Sequence, residues 1–288
     1  MTSTRAITLC LTIASFWFIG GCDGSTEMDK KMSDAAVLLK LHENGEEFSR
    51  RYPGLIQVNK QPAGLTFYDA EWNSTEKGKV TIDTGSGTLR ADDVLYLTAV
   101  QDDENKAEGL STASLSSGIT GPKGITHDAA REYIFAALSR LRNDGWKPFI
   151  PFDDPRIRGR NMLNYQLANS SVITLDPDYK PTPEEWIRLP DRSGWELRTE
   201  SAFIRITFHR SPNPKDPSGP GLYLVNFDLK SIVNHFKGFV DPSHRDEWRN
   251  LLPGELKDLA SRRNSAEAKL REQGIEIDTE YKDPSIPQ

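Results

Sequence analysis

The residue types that commonly act as nucleophiles or metal ligands are few in this sequence, and they lie far apart. The thiols belong to Cys10 and Cys22, so residues 23–288 can form neither a disulfide nor a thiolate metal site. A Gly-x-Ser-x-Gly elbow and a His-Glu-x-x-His pair are absent from the sequence. The five histidines show no short ligand spacing: His42, His127, His209, His235 and His244. We therefore predict a protein that is not an enzyme, with no catalytic residue, metal site or cofactor.

An aspartate motif at residues 80–86 is the strongest exception, because it reads Val-Thr-Ile-Asp-Thr-Gly-Ser. It resembles the Asp-Thr-Gly-Ser signature of aspartic proteases, whose mechanism needs two carboxylates that share a proton. Asp83 would need a second such motif, and the sequence contains none. The alternative is a strand that ends in a turn, where glycine adopts the required backbone conformation. We favour the turn.

A dense charged turn at residues 153–160 is the first candidate binding surface. Its charged members are Asp153, Asp154, Arg156, Arg158 and Arg160. Three arginines beside the paired aspartates would repel a divalent cation, which argues against a metal site. Internal salt bridges are the default interpretation, and a patch that binds a protein partner is the alternative.

A proline-rich loop at residues 211–221 is the second candidate binding surface. Prolines restrict the backbone, so such a loop loses little conformational entropy when it binds a partner. The residues predicted to contact a partner here are Pro212, Pro214, Lys215, Asp216 and Pro217. The alternative is an ordinary long connection between two strands.

Composition and charge describe a folded, soluble body that does not bind nucleic acid. The chain has 288 residues, of which 36% are hydrophobic and 27% are charged. Its 36 basic and 42 acidic residues give a net charge of −6. Nucleic-acid affinity comes mainly from contacts between Lys or Arg and phosphate, so an acidic chain lacks the usual basis for it.

The N-terminus has the pattern of a secretory signal peptide over residues 1–21. One arginine precedes an almost continuous apolar run from Ala6 to Ile19, which is too short to span a membrane comfortably. The segment Ile19-Gly-Gly-Cys22 resembles the lipobox of bacterial lipoproteins. That resemblance implies cleavage between Gly21 and Cys22 and acylation of Cys22, including palmitate. It also implies that Asp23 favours retention on the periplasmic side of the inner membrane.

The remaining chain predicts two subdomains joined by a linker. Residues 22–32 read as a tether, and residues 33–108 read as an N-terminal α+β domain that opens with a helix over 33–51. Eleven of the sixteen residues at 109–124 are Ser, Thr, Gly or Pro, which predicts a linker or long loop. Residues 125–280 read as a C-terminal α+β domain, and residues 281–288 as a tail.

Helix and strand signals are clearest in the C-terminal domain. Thr126 is a predicted N-cap for a helix that ends at Gly145, and Thr182 with Glu185 forms a predicted capping box. Residues 203–208 and 222–229 alternate in the manner of paired strands, and a charged helix is predicted from Pro253 to Gln273. The expected fold class is α+β, with antiparallel sheets packed by a few helices.

The C-terminal half also resembles lipoproteins of proteobacteria encoded in type VI secretion loci with phospholipase effectors. The resemblance spans Trp146 to Ile277 and rests on the segments Gly145–Phe149, Asp153–Arg156, Gly159–Tyr165, Pro183–Trp186, Gly194–Arg198 and His244–Pro253. It implies an immunity protein that inhibits a lipase effector in the periplasm, and it carries over no individual binding residue. The alternative hypothesis is a non-catalytic envelope or secretion-apparatus adaptor lipoprotein.

Overall fold

The computed structural model describes residues 36–121, 123–169, 174–213, 215, 216 and 218–287. These residues form ten strands and six α-helices. The strands are β1 (Val37–Lys40), β2 (Gln57–Gln61), β3 (Leu65–Glu71), β4 (Gly78–Asp83), β5 (Thr88–Asp102), β6 (Leu110–Gly118), β7 (Lys147–Pro148), β8 (Gly194–Arg198), β9 (Ala202–Ser211) and β10 (Leu222–Ser231). The helices are α1 (Gly45–Arg51), α2 (His127–Asn143), α3 (Gly159–Ala168), α4 (Pro183–Arg188), α5 (Ile232–Lys237) and α6 (Trp248–Glu272). The predicted signal peptide, Cys22, Asp23 and the predicted tether lie outside the described residues.

All ten strands belong to one sheet. The order along the sheet is β1-β4-β5-β6-β10-β9-β8-β7, while β3 pairs with the second half of β5 and β2 pairs with β3. The pair of β1 and β4 is parallel, and the other neighbouring strands are antiparallel. The predicted α+β class is confirmed, in the form of a single mixed sheet with helices on it.

The predicted linker is wrong, because its residues form the strand at the centre of the sheet. β6 pairs with β5 on one side and with β10 on the other. Its inward side chains are Ala113 and Leu115, which are buried, whereas Ser114 and Ser116 point to the opposite face. The Ser- and Gly-rich composition therefore belongs to a strand with one polar face, and the sheet runs without a break across the expected domain boundary.

Two segment boundaries near the ends of the folded body also differ from the prediction. Residues 33–51 were predicted as one helix, yet Val37–Lys40 is a strand and the helix begins only after the Asn44 cap. Leu39 is fully buried beside Ile82, its partner on β4, so pairing with the sheet outweighs helix propensity here. At the other end, Tyr281 packs against buried residues and its hydroxyl accepts a hydrogen bond from the Ile150 amide, so residues 281–288 are not simply a tail.

The apolar face of the sheet carries the main hydrophobic core. Helix α2 covers it with Ala130, Ile134, Leu138 and Leu141, and α4 adds the fully buried Trp186. The predicted Thr126 cap is confirmed, because its hydroxyl accepts from the Ala129 amide 3.2 Å away. The capping box of Thr182 and Glu185 is present as well, and Gly145 follows α2 with a φ of 99°.

A second, smaller core lies at one end of the opposite face. Phe203 of β9 packs there among aromatic and aliphatic side chains of α5, α6 and the segment after β7, namely Phe149, Phe152, Phe236, Trp248 and Leu252. Helix α6 begins at Trp248, five residues before the predicted start, and includes Pro253. This second core covers only the Phe203 end of the face, and the rest of that face stays partly open to solvent.

Candidate functional site

The charged turn at residues 153–160 ties the C-terminal helix to the rest of the fold. Arg156 forms an ion pair with the buried Glu267 at 2.8 Å, Arg158 pairs with Asp278, and Arg160 lies 2.9 Å from Glu185. The interpretation as internal salt bridges is therefore confirmed for these three arginines. Their proposed role in binding a partner stays a prediction, and it would have to operate on guanidinium groups that already have counter-ions.

The two aspartates of this turn lie in different surroundings. Asp153 is exposed and lies 3.6 Å from Arg262. Asp154 is shielded from solvent, and this burial together with the neighbouring Asp153 charge raises its pKa to about 6. Asp154 thus keeps its proton more readily than an ordinary aspartate does.

The proline-rich loop connects β9 to β10 as a hairpin connection. Pro212, Lys215 and Asp216 are exposed, while Pro214 and Pro217 lie outside the described residues. Asp216 accepts hydrogen bonds from Ser218 and from the Gly219 amide, which organises the tip of the loop. Its contact with a partner stays a prediction.

Asp83 is the last residue of β4 and a turn follows it, in agreement with the favoured interpretation of a strand that ends in a turn. Its carboxylate accepts a hydrogen bond from the Gly85 amide at 2.8 Å, and Gly85 has a φ of 80°. Within the ranges described, no three His, Cys, Asp or Glu side chains are grouped so that they could hold a metal ion. In the same ranges, no helix is both long and apolar enough to cross a bilayer.

The exposed face of the sheet is the most extensive feature that sequence analysis did not single out. We call it the open face. Cross-strand register places one polar side chain from each of six adjacent strands in a single row, namely Asp69, Thr98, Ser114, Asp228, Arg205 and Glu196. A parallel row contains Tyr96, Ser116, Asn226 and Thr207.

Hydrogen bonds between neighbouring strands hold the side chains of the open face in place. The Ser114 hydroxyl donates to Asp228 at 2.8 Å, and the Ser116 hydroxyl donates to the Asn226 side chain at 2.8 Å. Tyr96 and Thr98 both donate to Asp69. The open face is therefore an ordered polar surface whose side chains are exposed or partly exposed.

A cleft of about 630 Å³ marks the step where the second core ends and the open face begins. Its floor includes Ser114, Glu196, Arg205, Asp228 and Lys230. Its wall consists of aromatic side chains from α5 and from the segments beside it, namely Phe149, Phe203, His235 and Phe239. We call it the aromatic cleft.

Burial shifts the titration of two groups in the aromatic cleft. It raises the pKa of Glu196 to about 7, although the nearby Arg205 and Lys230 oppose the shift and Asp154 adds to it. Burial also lowers the pKa of His235 to about 3, so this imidazole is neutral at physiological pH. The His235 ring stacks on Phe203 with the ring centroids 3.6 Å apart.

A second depression of about 570 Å³ lies at the other end of the open face. The side chains of Leu95, Leu222 and Leu224 line it together with Lys77, and Ser211 at the start of the proline-rich loop borders it. Leu222 is 60% exposed, which is high for a leucine. The open face thus carries an apolar patch at one end and the aromatic cleft at the other.

No local motif in the sequence marks this site. Glu196 stands between Trp195 and Leu197, two buried residues, and resembles any polar position of an alternating strand. The signal that could have found the open face is the run of small polar residues at alternate positions of the strand-like segments.

Comparison with protein families, with curated proteins and with solved structures gives no match for this chain.

Proposed function

We propose that this protein is a lipid-anchored periplasmic immunity protein that uses its open face to bind and inhibit a lipase effector of a type VI secretion system. The observation that carries the proposal is the open face itself. It is a row of accessible, ordered polar side chains across six strands, with a cleft at each end. Such a surface suits a protein partner better than it suits a small substrate.

The dimensions of the open face support this function. Strands lie about 4.8 Å apart, so six strands span about 24 Å in the hydrogen-bonding direction. A standard protein interface buries about 800 Å² on each side, and a face of this width can supply such an area. Its strands are paired on both sides at β5, β6, β10, β9 and β8, so docking would order little new backbone.

The lipobox supports the location. A single fatty chain holds a protein only marginally, at about 0.8 kcal/mol per buried methylene. The resemblance to bacterial lipoproteins implies three fatty chains on Cys22, which would give an effectively permanent anchor. A protein tethered in this way would meet an incoming toxin on the side of the membrane where a lipase acts.

The test is a co-purification and a lipase assay with the effector encoded beside this protein. The wild-type protein should bind the effector and lower its turnover. Ser116→Arg places a long cation in the middle of the open face and should weaken inhibition at least tenfold. Ser261→Arg makes the same change on the exposed surface of α6, away from the open face, and should inhibit like the wild type.

Two results would overturn the proposal. One is unaltered lipase turnover in the presence of the purified wild-type protein. The other is a cytoplasmic location in cell fractionation, with mass spectrometry showing no lipid on Cys22. Loss of secretion in a deletion strain without self-intoxication would instead support the adaptor hypothesis.

A further inference from the structure

Glu196 is a shielded carboxylate with little to balance its charge. Its side chain is 20% exposed, and its nearest cation is the Arg205 Nε at 4.0 Å, the outer limit of an ion pair. Among the described residues, none donates a hydrogen bond to the Glu196 carboxylate. A carboxylate removed from water without a close partner is costly, and a cationic ligand would relieve that cost.

The charged side chains that line the aromatic cleft are two acidic and two basic ones. Glu196 and Asp228 are acidic, and Arg205 and Lys230 are basic. The sheet register places Arg205 between Glu196 and Asp228, and the Ser114 hydroxyl donates a hydrogen bond to Asp228. Glu196 is therefore the acidic group of the cleft that lacks a hydrogen-bond donor among the described residues.

The wall of the aromatic cleft suits a flat cation. Phe239 is half-buried at the edge of the cleft, whereas Phe149 and Phe203 are almost fully buried behind it. The neutral His235 ring packs against all three. A cation over an aromatic face gains about 0.5–2 kcal/mol, most where water is excluded. Guanidinium is less strongly hydrated than ammonium, stacks on rings and can bind a carboxylate with two parallel hydrogen bonds.

We propose that the aromatic cleft binds an arginine side chain of the protein partner, with the guanidinium group on the Glu196 carboxylate and against the Phe239 ring. The identification of the partner as the source of this side chain rests on the proposed function. The affinity of the cleft for guanidinium does not rest on it and is measurable separately. Arginine is also among the residues that most often dominate interface energies.

Proton release provides a specific signature of this binding mode. Because the pKa of Glu196 is about 7, the carboxyl is partly protonated at neutral pH, and a bound cation must displace that proton. Asp153 and Asp154 lie on the segment after β7, Arg205 on β9 and Lys230 on β10, and each acts on Glu196. His235 on α5 is neutral throughout this range. Affinity for guanidinium should therefore rise about tenfold from pH 6 to pH 8.

The experiment is a calorimetric titration of the full protein in detergent with N-acetyl-arginine amide. Its uncharged analogue N-acetyl-citrulline amide is the matched control ligand. We expect the arginine probe to bind, the citrulline probe to bind at least tenfold more weakly, and the affinity for arginine to rise with pH. Titrations in buffers of different ionisation heat should show proton uptake by the buffer at pH 7.

Two variants test whether binding of the arginine probe depends on the Glu196 carboxylate. Glu196→Gln keeps the shape of the side chain and should weaken binding of the arginine probe at least tenfold and abolish its pH dependence. Glu272→Gln removes an exposed carboxylate at the end of α6, outside the open face, and should leave both unchanged. Equal binding of the two probes, or unchanged affinity and pH dependence in Glu196→Gln, would overturn the inference.

The lipase assay distinguishes this inference from the proposed function. If the inference holds, Glu196→Gln also inhibits the effector at least tenfold less well than Glu272→Gln does. If both variants inhibit like the wild type, the arginine contact is wrong while the immunity function stands. If the wild type does not inhibit the effector, the proposed function is wrong, and so is the assignment of the arginine to that partner. The probe titration still decides whether the cleft binds guanidinium.

Discussion

Two glutamates of this protein show how strongly local surroundings set the behaviour of one residue type. Glu196 is shielded, without a hydrogen-bond donor among the described residues, and burial raises its pKa to about 7. Burial acts in the same direction on Glu267, but hydrogen bonds from Arg156 outweigh it and leave the pKa of Glu267 below its usual value. Glu196 is therefore free to bind a cationic ligand, whereas Glu267 already forms a structural ion pair.

Replacing Glu196 with glutamine should change how stability depends on pH. A pKa raised by folding means that the folded protein binds the proton more tightly, so this residue costs stability as the pH rises from about 4.5 to about 7. The stability of Glu196→Gln relative to wild type should therefore increase by about 3 kcal/mol between pH 4.5 and pH 8. Urea unfolding at both pH values measures this, and parallel pH profiles for the two proteins would contradict it.

Replacing Glu267 with glutamine should have the opposite effect. The side chain is 1% exposed and accepts hydrogen bonds from the amide, Nε and Nη2 of Arg156. The substitution leaves that guanidinium without its counter-ion and should cost about 3 kcal/mol at pH 7. The wild-type advantage should shrink in acid, because a lowered pKa stabilises the fold above the ordinary glutamate range and the gain is lost as Glu267 takes up a proton.

Glu272→Gln is the matched control for this prediction, since Glu272 is an exposed residue on the same helix. Its urea midpoint should stay close to that of the wild type. An equal loss of stability in both variants would show that the ion pair with Arg156 contributes nothing specific.

At the scale of elements, the sequence correctly predicted the helices whose first backbone amides are capped by a neighbouring side chain. The caps at Thr126 and Thr182 are local hydrogen bonds, so a few neighbouring residues suffice to place α2 and α4. β1 and β6 depend on partners far along the chain. The spacing of Leu38, Leu39 and Leu41 fits a helix face equally well, and only the pairing with β4 decides the matter.

β6 was missed for a related reason, and the same reason hid the candidate site. One side of this strand faces an open surface, so its alternate residues are Thr112, Ser114 and Ser116, which read as a linker. The inward Ala113 and Leu115 supply a weak apolar signal. When one face of a sheet is polar and the inward residues are small, neither the strand nor the polar surface gives a clear signal in the sequence.

Proline in the middle of β6 should disrupt the whole sheet. Every residue of a strand with two neighbours contributes to pairing, and proline removes an N–H donor from that ladder. We expect Ser114→Pro to cost about 3 kcal/mol or more and to yield little folded protein. Ser114→Thr is the control, because threonine favours strands and keeps the hydroxyl that contacts Asp228. Circular dichroism and solubility compare the two, and a folded Ser114→Pro protein would rule out a central place for β6.

At the scale of the whole molecule, the continuous sheet replaces the expected pair of subdomains. β6 joins strands from both halves of the chain, and the main core includes residues from Val37 to Leu229. Elements that share one core and one sheet unfold together.

Calorimetry should therefore show a single cooperative unfolding transition for this protein. The ratio of calorimetric to van't Hoff enthalpy should be close to one, because no boundary separates the two halves. Two resolved transitions, or a fragment ending near residue 118 that folds alone, would favour the original expectation of separate subdomains.

The separation of β6 from its second neighbour has a consequence for biogenesis. Ser114 and Asp228 are paired on the adjacent strands β6 and β10, although 114 positions separate them along the chain. A polypeptide that emerges with its amino end first must present one bare edge of β6 until β10 arrives. Such delayed closure slows folding and invites pairing with the wrong chain. The exposed edge of β6 is rich in serine and has few of the apolar side chains that promote fibril formation. This composition lowers the risk of aggregation before β10 is synthesised.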